Sequence, residues 1–409
     1  MLFKDVIGQQ EVKQHLVEMV AQNRLSHALL FLGKEGSGPL PLAIAFAQYV
    51  SLLPGQNTNR ETSLFGDADA VEKKLPATAD EADEWMAKQP SYGKAAGLVH
   101  PDIHFSYPVI KKTSKGDEKP LSTDWVSEWR DFIQQTPYGN VYDWLQFINA
   151  ENKQGNITAQ ECNSIIQKLY LKSFESGFKI LLMWMPEYMG KEGNRLLKLI
   201  EEPPPDTLFL FVAENESKML STIISRCQLI KIPPLNFLSV EGALIERCNI
   251  SVEEAKRIAN ISSGNYREAL QLWQHSDEDY HLLLREWLNA TLMGKTQMQV
   301  KAIENIARLG RENQKQFLRY FTHLLECAIR LRVMYPVNET NFLDTFSANE
   351  TEFVPRLNKA MTLEQQQAIS EELDKAAYYI ERNANAKILF HALTIKTFHI
   401  VKNNSLVSV

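Results

Sequence analysis

Leu29-Leu30-Phe31-Leu32-Gly33-Lys34-Glu35-Gly36-Ser37-Gly38-Pro39-Leu40 runs from an apolar strand into a glycine-rich turn, and Pro41 to Ala47 continues as an alanine-rich apolar helix. Strand, loop with Gly33, Gly36 and Gly38, then helix is the layout of a phosphate-binding loop, G-x-x-x-x-G-K-[ST]. An ordinary glycine-rich turn before a helix has the same outline. Here Pro39 stands at the lysine position and Leu40 at the position of the hydroxyl that holds magnesium. The lysine of such a loop charges the outer phosphates, and its N–H joins the nest around them. Proline supplies neither, yet its fixed φ suits the first turn of a helix. Pro41 removes a second donor from the same turn. The shape can therefore persist while the phosphate grip is lost.

A second part of such a site belongs at the end of a later strand. Phe178 to Gly190 opens with a continuous apolar run, Ile180-Leu181-Leu182-Met183-Trp184-Met185, of the kind found in parallel sheets buried on both faces. Working ATPases carry acidic residues at the end of this strand, which hold magnesium and polarise water. Trp184 and Met185 occupy that place, and neither offers the oxygen ligands a hard cation requires. Glu187, the nearest carboxylate, is expected to open the next helix and to do no chemistry.

These stretches stand in a recognisable series: Phe3 to Gln9 (FKDVIGQ), Arg24 to Phe31 (RLSHALLF), His100-Pro101-Asp102, Asn194 to Pro204 (NRLLKLIEEPP) and Ser225-Arg226-Cys227. The chain resembles the delta-prime subunits of the bacterial DNA polymerase III clamp loader, within the AAA+ class. The likeness covers the first 230 residues and rests most on the NRLLKLIEEPP run followed by Ser-Arg-Cys. The resemblance implies a five-subunit open ring that uses ATP to open a sliding clamp and place it on primed DNA. It implies gamma/tau-type ATPase subunits and a delta subunit as partners, with the clamp and primer–template DNA in the same assembly. It also implies that this chain is the rigid member, without productive ATP binding, and that Arg226 of the Ser225-Arg226-Cys227 motif acts as an arginine finger in a neighbour's site. Alone, Arg226 would read as one half of a surface ion pair. Many relatives carry four close cysteines after the first helix as a zinc module; residues 51 to 99 hold no cysteine here. No ATP, magnesium or zinc is expected in this chain. His100 and Asp102 read as a structural turn.

Composition agrees with this reading. The 409 residues are 44% apolar with a formal charge of −6, enough for two or three domains with full cores and too acidic for a strong stand-alone DNA binder. Cys162, Cys227, Cys248 and Cys327 are scattered without metal-ligand spacing, which suggests a reducing compartment. No signal pattern opens the chain and no stretch of about 18 apolar residues occurs, so a cytoplasmic location without a membrane span is expected.

The expected fold is α/β: an AAA+ P-loop-type parallel-sheet domain over 1–232, a small helical lid over 236–290, and an all-α collar, or oligomerisation domain, over 292–409. An insertion interrupts the first domain at about 54–150. Pro54, Gly55, Asn57 and Asn59 break its opening, and 111–120 reads as a charged hairpin tip. The aromatic segment Trp125, Trp129, Phe132, Tyr138, Tyr142, Trp144 and Phe147 has only Arg130 among it. It reads as core or docking surface rather than a base-stacking platform, which interleaves basic residues. Strands are expected at 28–32, 103–109, 207–213 and 228–232, and a helix at 187–201. Ala213, Glu214 and Asn215 lie near a sensor position, which is left unassigned. In Gly264-Asn265-Tyr266-Arg267, Arg267 sits where the family's second sensor faces nucleotide; with the loop degraded, a surface or interdomain role is equally open. Two other readings stay open for the chain: a working AAA+ ATPase with an unconventional site, and a helical adaptor outside replication.

Overall fold

The apolar runs pair as one five-stranded parallel sheet in the order β2-β3-β4-β1-β5, with β1 at Ala28–Gly33, β2 at Ile103–Ser106, β3 at Lys179–Trp184, β4 at Thr207–Ala213 and β5 at Gln228–Ile232. This is a computed structural model that describes residues 1–53, 75–112, 119–150, 153–274, 280–334, 348–381 and 384–403. Pro54, Gly55, Asn57 and Asn59 lie outside the described residues, as does 113–118 of the charged loop. Two compact units are present: Met1–Asn249 with Ser262–Glu268, and Ile250–Ile261 with Ala269–Val409. The stretch 236–290, expected as one lid, is divided between them.

The period-two alternation of strands explains the sheet's two cores. Leu29, Phe31, Ile180, Leu182, Trp184, Leu208, Leu210 and Val212 face the larger core. Leu30, Leu181, Met183, Phe209 and Phe211 face the other, with Cys162, Ile165 and Leu169. Helices α1 (Gln10–Ala21) and α2 (Pro39–Ser51) contribute to the larger core; α2 is buried at every position, which explains its apolar, alanine-rich sequence. Helices α3 (Ala79–Ala87) and α4 (Tyr92–Ala96) follow, then α5 (Val126–Gln135) and α6 (Val141–Phe147). Helix α7 (Ala159–Leu169) covers the second core. The strand expected over 103–109 is shorter.

The aromatic segment is core. Trp129 stacks on Tyr107 with centroids 3.9 Å apart, and Trp184 lies 5.2 Å from Trp129 and 6.1 Å from Phe132. Trp144 meets Trp129 edge-on at 5.4 Å, and its indole N–H donates to the Pro108 carbonyl. Asp102 of the His-Pro-Asp turn is buried and accepts three backbone N–H bonds, from Phe174, Glu175 and Ser176, so it fixes the chain entering β3.

The helix expected over 187–201 is not one α-helix. Pro186–Leu196 winds as 3-10 turns with a kink at Gly190 (φ 52°, ψ −132°), and only α8 (Leu197–Glu201) is α-helical. The short α9 (Ser221–Ile224) precedes β5, and α10 (Phe237–Cys248) starts on an Asn236 cap. Helices α11 (Val252–Ser262) and α12 (Tyr266–Gln274) cross between the units along the chain.

The second unit continues with α13 (Tyr280–Met293), α14 (Thr296–Arg308), α15 (Arg311–Met334), α16 (Ala348–Ala360), α17 (Leu363–Glu381) and α18 (Ala386–Asn403). Its core gathers around Trp287, which meets Phe317 and Phe321 edge-on and donates to Thr394 Oγ1. The Thr362 capping box forms in full: Thr362 N–H reaches Gln365 Oε1, and Gln365 N–H reaches Thr362 Oγ1. Helix α16 escaped the sequence reading because Pro355 lies inside it.

Trp184→Ala is expected to cost the first unit about 3–5 kcal/mol by leaving a large void among aromatic rings. The check is the urea midpoint of that unit; a loss below about 1 kcal/mol would contradict the packing described.

Candidate functional site

The glycine-rich turn leaves β1 at its carboxyl end, where open α/β sheets bind their ligands. Pro39 is the first residue of α2, as a proline's fixed φ favours. Gly36 and Gly38 have φ of +71° and +91°, conformations that side chains resist. A Cβ on Gly36 would stand 1.8 Å from Asn265 Oδ1. The loop is thus closely overlaid by the 262–268 segment of its own unit.

That overlay is specific. Tyr266 N–H donates to the Gly36 carbonyl at 3.1 Å. The Arg267 side chain is only 3% exposed. Its Nε and Nη2 each reach a different oxygen of Asp143 at 2.5 Å, a bidentate pair, and its Nη1 reaches Glu35 Oε1 at 3.0 Å. Asn140 Nδ2 holds the other Glu35 oxygen at 2.9 Å. Asp143 in turn caps α6 reciprocally with Asn140. Tyr138 lies over Gly38, packs on Tyr266 at 5.0 Å, and its hydroxyl accepts the Ile7 N–H. Arg267 is therefore not a surface residue. Its guanidinium faces carboxylates of its own unit, including one from the loop itself.

The cavity left among Glu35, Gly36, Gly38, Pro39, Tyr138, Trp184 and Glu214 measures about 20 Å³, the room of about one water. Trp184 and Met185 are buried at its floor, and Met185 adopts a left-handed φ of 57°. Glu187 stands in the first 3-10 turn; its Oε1 accepts the N–H groups of Glu214 and Asn215 at 2.7 and 2.9 Å, tying down the end of β4. Burial raises the Glu187 carboxyl above its usual range. Burial, then the charges of Glu35 and Glu187, push Glu214 up to about 8. The end of β4 thus carries a carboxyl that resists ionisation.

Ser225-Arg226-Cys227 lies elsewhere, just before β5 and so at the amino ends of the strands. The Arg226 side chain is one-third exposed. Its Nε and Nη2 both reach Glu201 Oε1, the former at 2.8 Å. Its Nη1 donates to the Thr222 carbonyl at 2.6 Å and to Ser225 Oγ at 3.3 Å. Burial pushes the Cys227 thiol up to about 12, so it stays protonated.

The residues singled out in the sequence thus form two groups. Gly33, Gly36, Gly38, Pro39, Leu40, Trp184, Met185 and Arg267 surround the turn, while Ser225, Arg226 and Cys227 are apart from it. Sequence reasoning missed Glu35, Asp143 and Glu201. Asn140-x-x-Asp143 is a capping pattern that could have marked Asp143, and Glu201 lies inside the Glu-Glu-Pro-Pro run. Among the described residues no cluster could hold a metal ion, and all four cysteines are free.

The parallel sheet, with its glycine-rich turn after β1 and helices behind, defines an AAA+-type fold. Residues 81–236 match the family model described as DNA polymerase III, delta subunit. The DNA polymerase III subunit delta' of Bacillus subtilis (strain 168) is 25% identical over 269 residues, covering 66% of this chain and 60% of that one. The DNA polymerase III subunit gamma of Buchnera aphidicola subsp. Acyrthosiphon pisum is 26% identical over 192 residues, 40% of this chain and 53% of that one. The chain therefore spans between half and three-fifths of the length of these relatives. A gamma subunit-related protein of Thermotoga maritima aligns over 94% of this chain and 99% of its own at 14% identity, with a TM-score of 0.35. The chain is thus similar to the delta-prime and gamma subunits of DNA polymerase III.

Asp143→Ala should destabilise the first unit by about 3 kcal/mol, because it strands a buried guanidinium and removes a helix cap; an unchanged urea midpoint would refute the clamp. Glu214 supplies a pH signature. Its folded value lies above the ordinary 4.5, so the folded state holds a proton that the unfolded state releases. That stabilisation is present below about pH 4.5 and is lost as pH rises towards 8. Glu214→Gln should therefore gain stability over wild type as pH goes from 5 to 8, and parallel stability profiles for the two chains would contradict it.

Proposed function

We propose that this chain is the non-hydrolysing, delta-prime-like member of a DNA polymerase III clamp loader, supporting ATP-driven loading of the sliding clamp on primed DNA. The observation that carries the first half is the buried Arg267, satisfied by Glu35 and Asp143 above a turn with about 20 Å³ to spare. A triphosphate would have to displace two carboxylates, and would find Pro39 at the position of the phosphate-gripping lysine and Trp184 and Met185 at the position of the acids that hold magnesium. The residues do not fit ATP-Mg. The working-ATPase reading loses its support at the same atoms. No zinc is proposed either, since the four cysteines have no ligand spacing.

Arg226 carries the second half. A guanidinium stays charged and bridges phosphate oxygens. In this reading it reaches the phosphates bound by a gamma/tau-type neighbour and stabilises charge that develops during transfer. The second unit, an all-helical bundle, acts as the collar joining this chain to its partners. The delta subunit, the clamp and primer–template DNA belong to the same assembly, which works in the cytoplasm; among the described residues no helix is long and apolar enough to cross a membrane.

Two measurements test the proposal. Millimolar ATP-Mg should not raise the melting temperature of the purified chain, since stabilisation follows RT ln(1 + [L]/Kd). Arg226→Ala should leave the chain folded and lower ATP turnover at the neighbouring site that it serves by about 10³-fold. A nucleotide-dependent melting shift would restore the ATPase reading, and full turnover with Arg226→Ala would remove the finger.

A further inference from the structure

Arg226 does not hang free in solvent. Its Nε and Nη2 form the side-on edge of the guanidinium, and both rest on Glu201 Oε1. Its Nη1 is held from the other side by the Thr222 carbonyl at 2.6 Å and Ser225 Oγ at 3.3 Å. A planar guanidinium has five N–H donors in a fixed fork. With the side-on edge on a carboxylate and Nη1 directed at both Thr222 and Ser225, the N–H that none of these contacts uses is the end-on one of Nη2. Two of the three anchors, Thr222 and Ser225, belong to one short turn around α9. The third, Glu201, closes α8, on the stretch just before β4. It is the one anchor from a separate element.

We infer that Glu201 is a positioning residue for the arginine finger: it fixes the plane of the Arg226 guanidinium so that the end-on N–H of Nη2 meets a phosphate bound by the neighbouring subunit. This rests on the finger reading above. Without Glu201 the side chain keeps its charge and its tie to Thr222 but is free to rotate about its last torsions. The charge still arrives near the phosphate; the fork no longer arrives aligned. A misplacement of about 1 Å at such a group can cost on the order of a hundredfold in rate. Glutamine at 201 retains the acceptor oxygen and so retains the orientation, while it removes a negative charge that would otherwise stand near the phosphate.

The test is a double-mutant cycle on ATP turnover at the site that this chain serves, read in a reconstituted assembly whose other ATP sites are inactivated, with melting temperatures of each chain as a folding control. Arg226→Ala sets the floor. Glu201→Ala should lower kcat by roughly ten- to a hundredfold with little change in KM. Glu201→Gln should stay within about threefold of wild type, and Glu201→Ala should add nothing in the Arg226→Ala background. Should Glu201→Ala fail its folding control, Glu201→Ser takes its place. The inference is overturned if Glu201→Ala turns over like wild type while Arg226→Ala does not. It is equally overturned if glutamine is as poor as alanine, or if the loss persists without Arg226. Full turnover with Arg226→Ala is a different failure: it defeats the finger reading, and the role of Glu201 with it.

Discussion

A single buried guanidinium organises the glycine-turn end of the first unit. Arg267 brings together a residue of the glycine turn (Glu35), the cap of α6 (Asp143) and the segment 262–268 that carries it. A buried charge is tolerated only when paired and hydrogen-bonded. Here the pairing is bidentate on one side and supported by Asn140 on the other. The anions that would satisfy such a residue in a nucleotide site are phosphates. Two carboxylates of the same unit take their place, so the closed arrangement needs no ligand to hold it.

Around that clamp the other departures are mutually consistent. Trp184 can occupy a position that would otherwise carry an acid because α5 and α6 supply a wall of rings, Trp129, Phe132 and Trp144, for it to join. Tyr138, from the loop between those helices, then closes over Gly38. The segment inserted between β2 and β3 thus fills the core beneath the turn and shields it from above.

Much of this was legible in sequence. The three long apolar runs are the strands β1, β3 and β4 because burial on both faces removes the polar alternation that would blur them, whereas β5, at the sheet edge, keeps it. The loop, the prolines of α2 and the loss of acids on β3 could be read residue by residue. What escaped were pairings between distant positions: Arg267 with Asp143, and Arg226 with Glu201, are 124 and 25 residues apart, and charge at one position does not name its partner. Gly190 turned an expected helix into 3-10 turns, since its positive φ has no sequence period to betray it. Pro355 hid a helix for the opposite reason, as a residue that usually forbids one.

The parallel sheet gives this unit a direction. Arg226 comes two residues before Gln228, which pairs with Leu29 at the start of β1, whereas the glycine turn follows Gly33 at the other end of the same strand. Four or five residues of strand, about 15 Å, separate Arg226 from the glycine turn. Subunits that exchange fingers through such opposed poles must stack head to tail, each giving at one pole and receiving at the other. Under the finger reading proposed above, a member whose receiving pole is already occupied by its own carboxylates would give without receiving and so would end the relay.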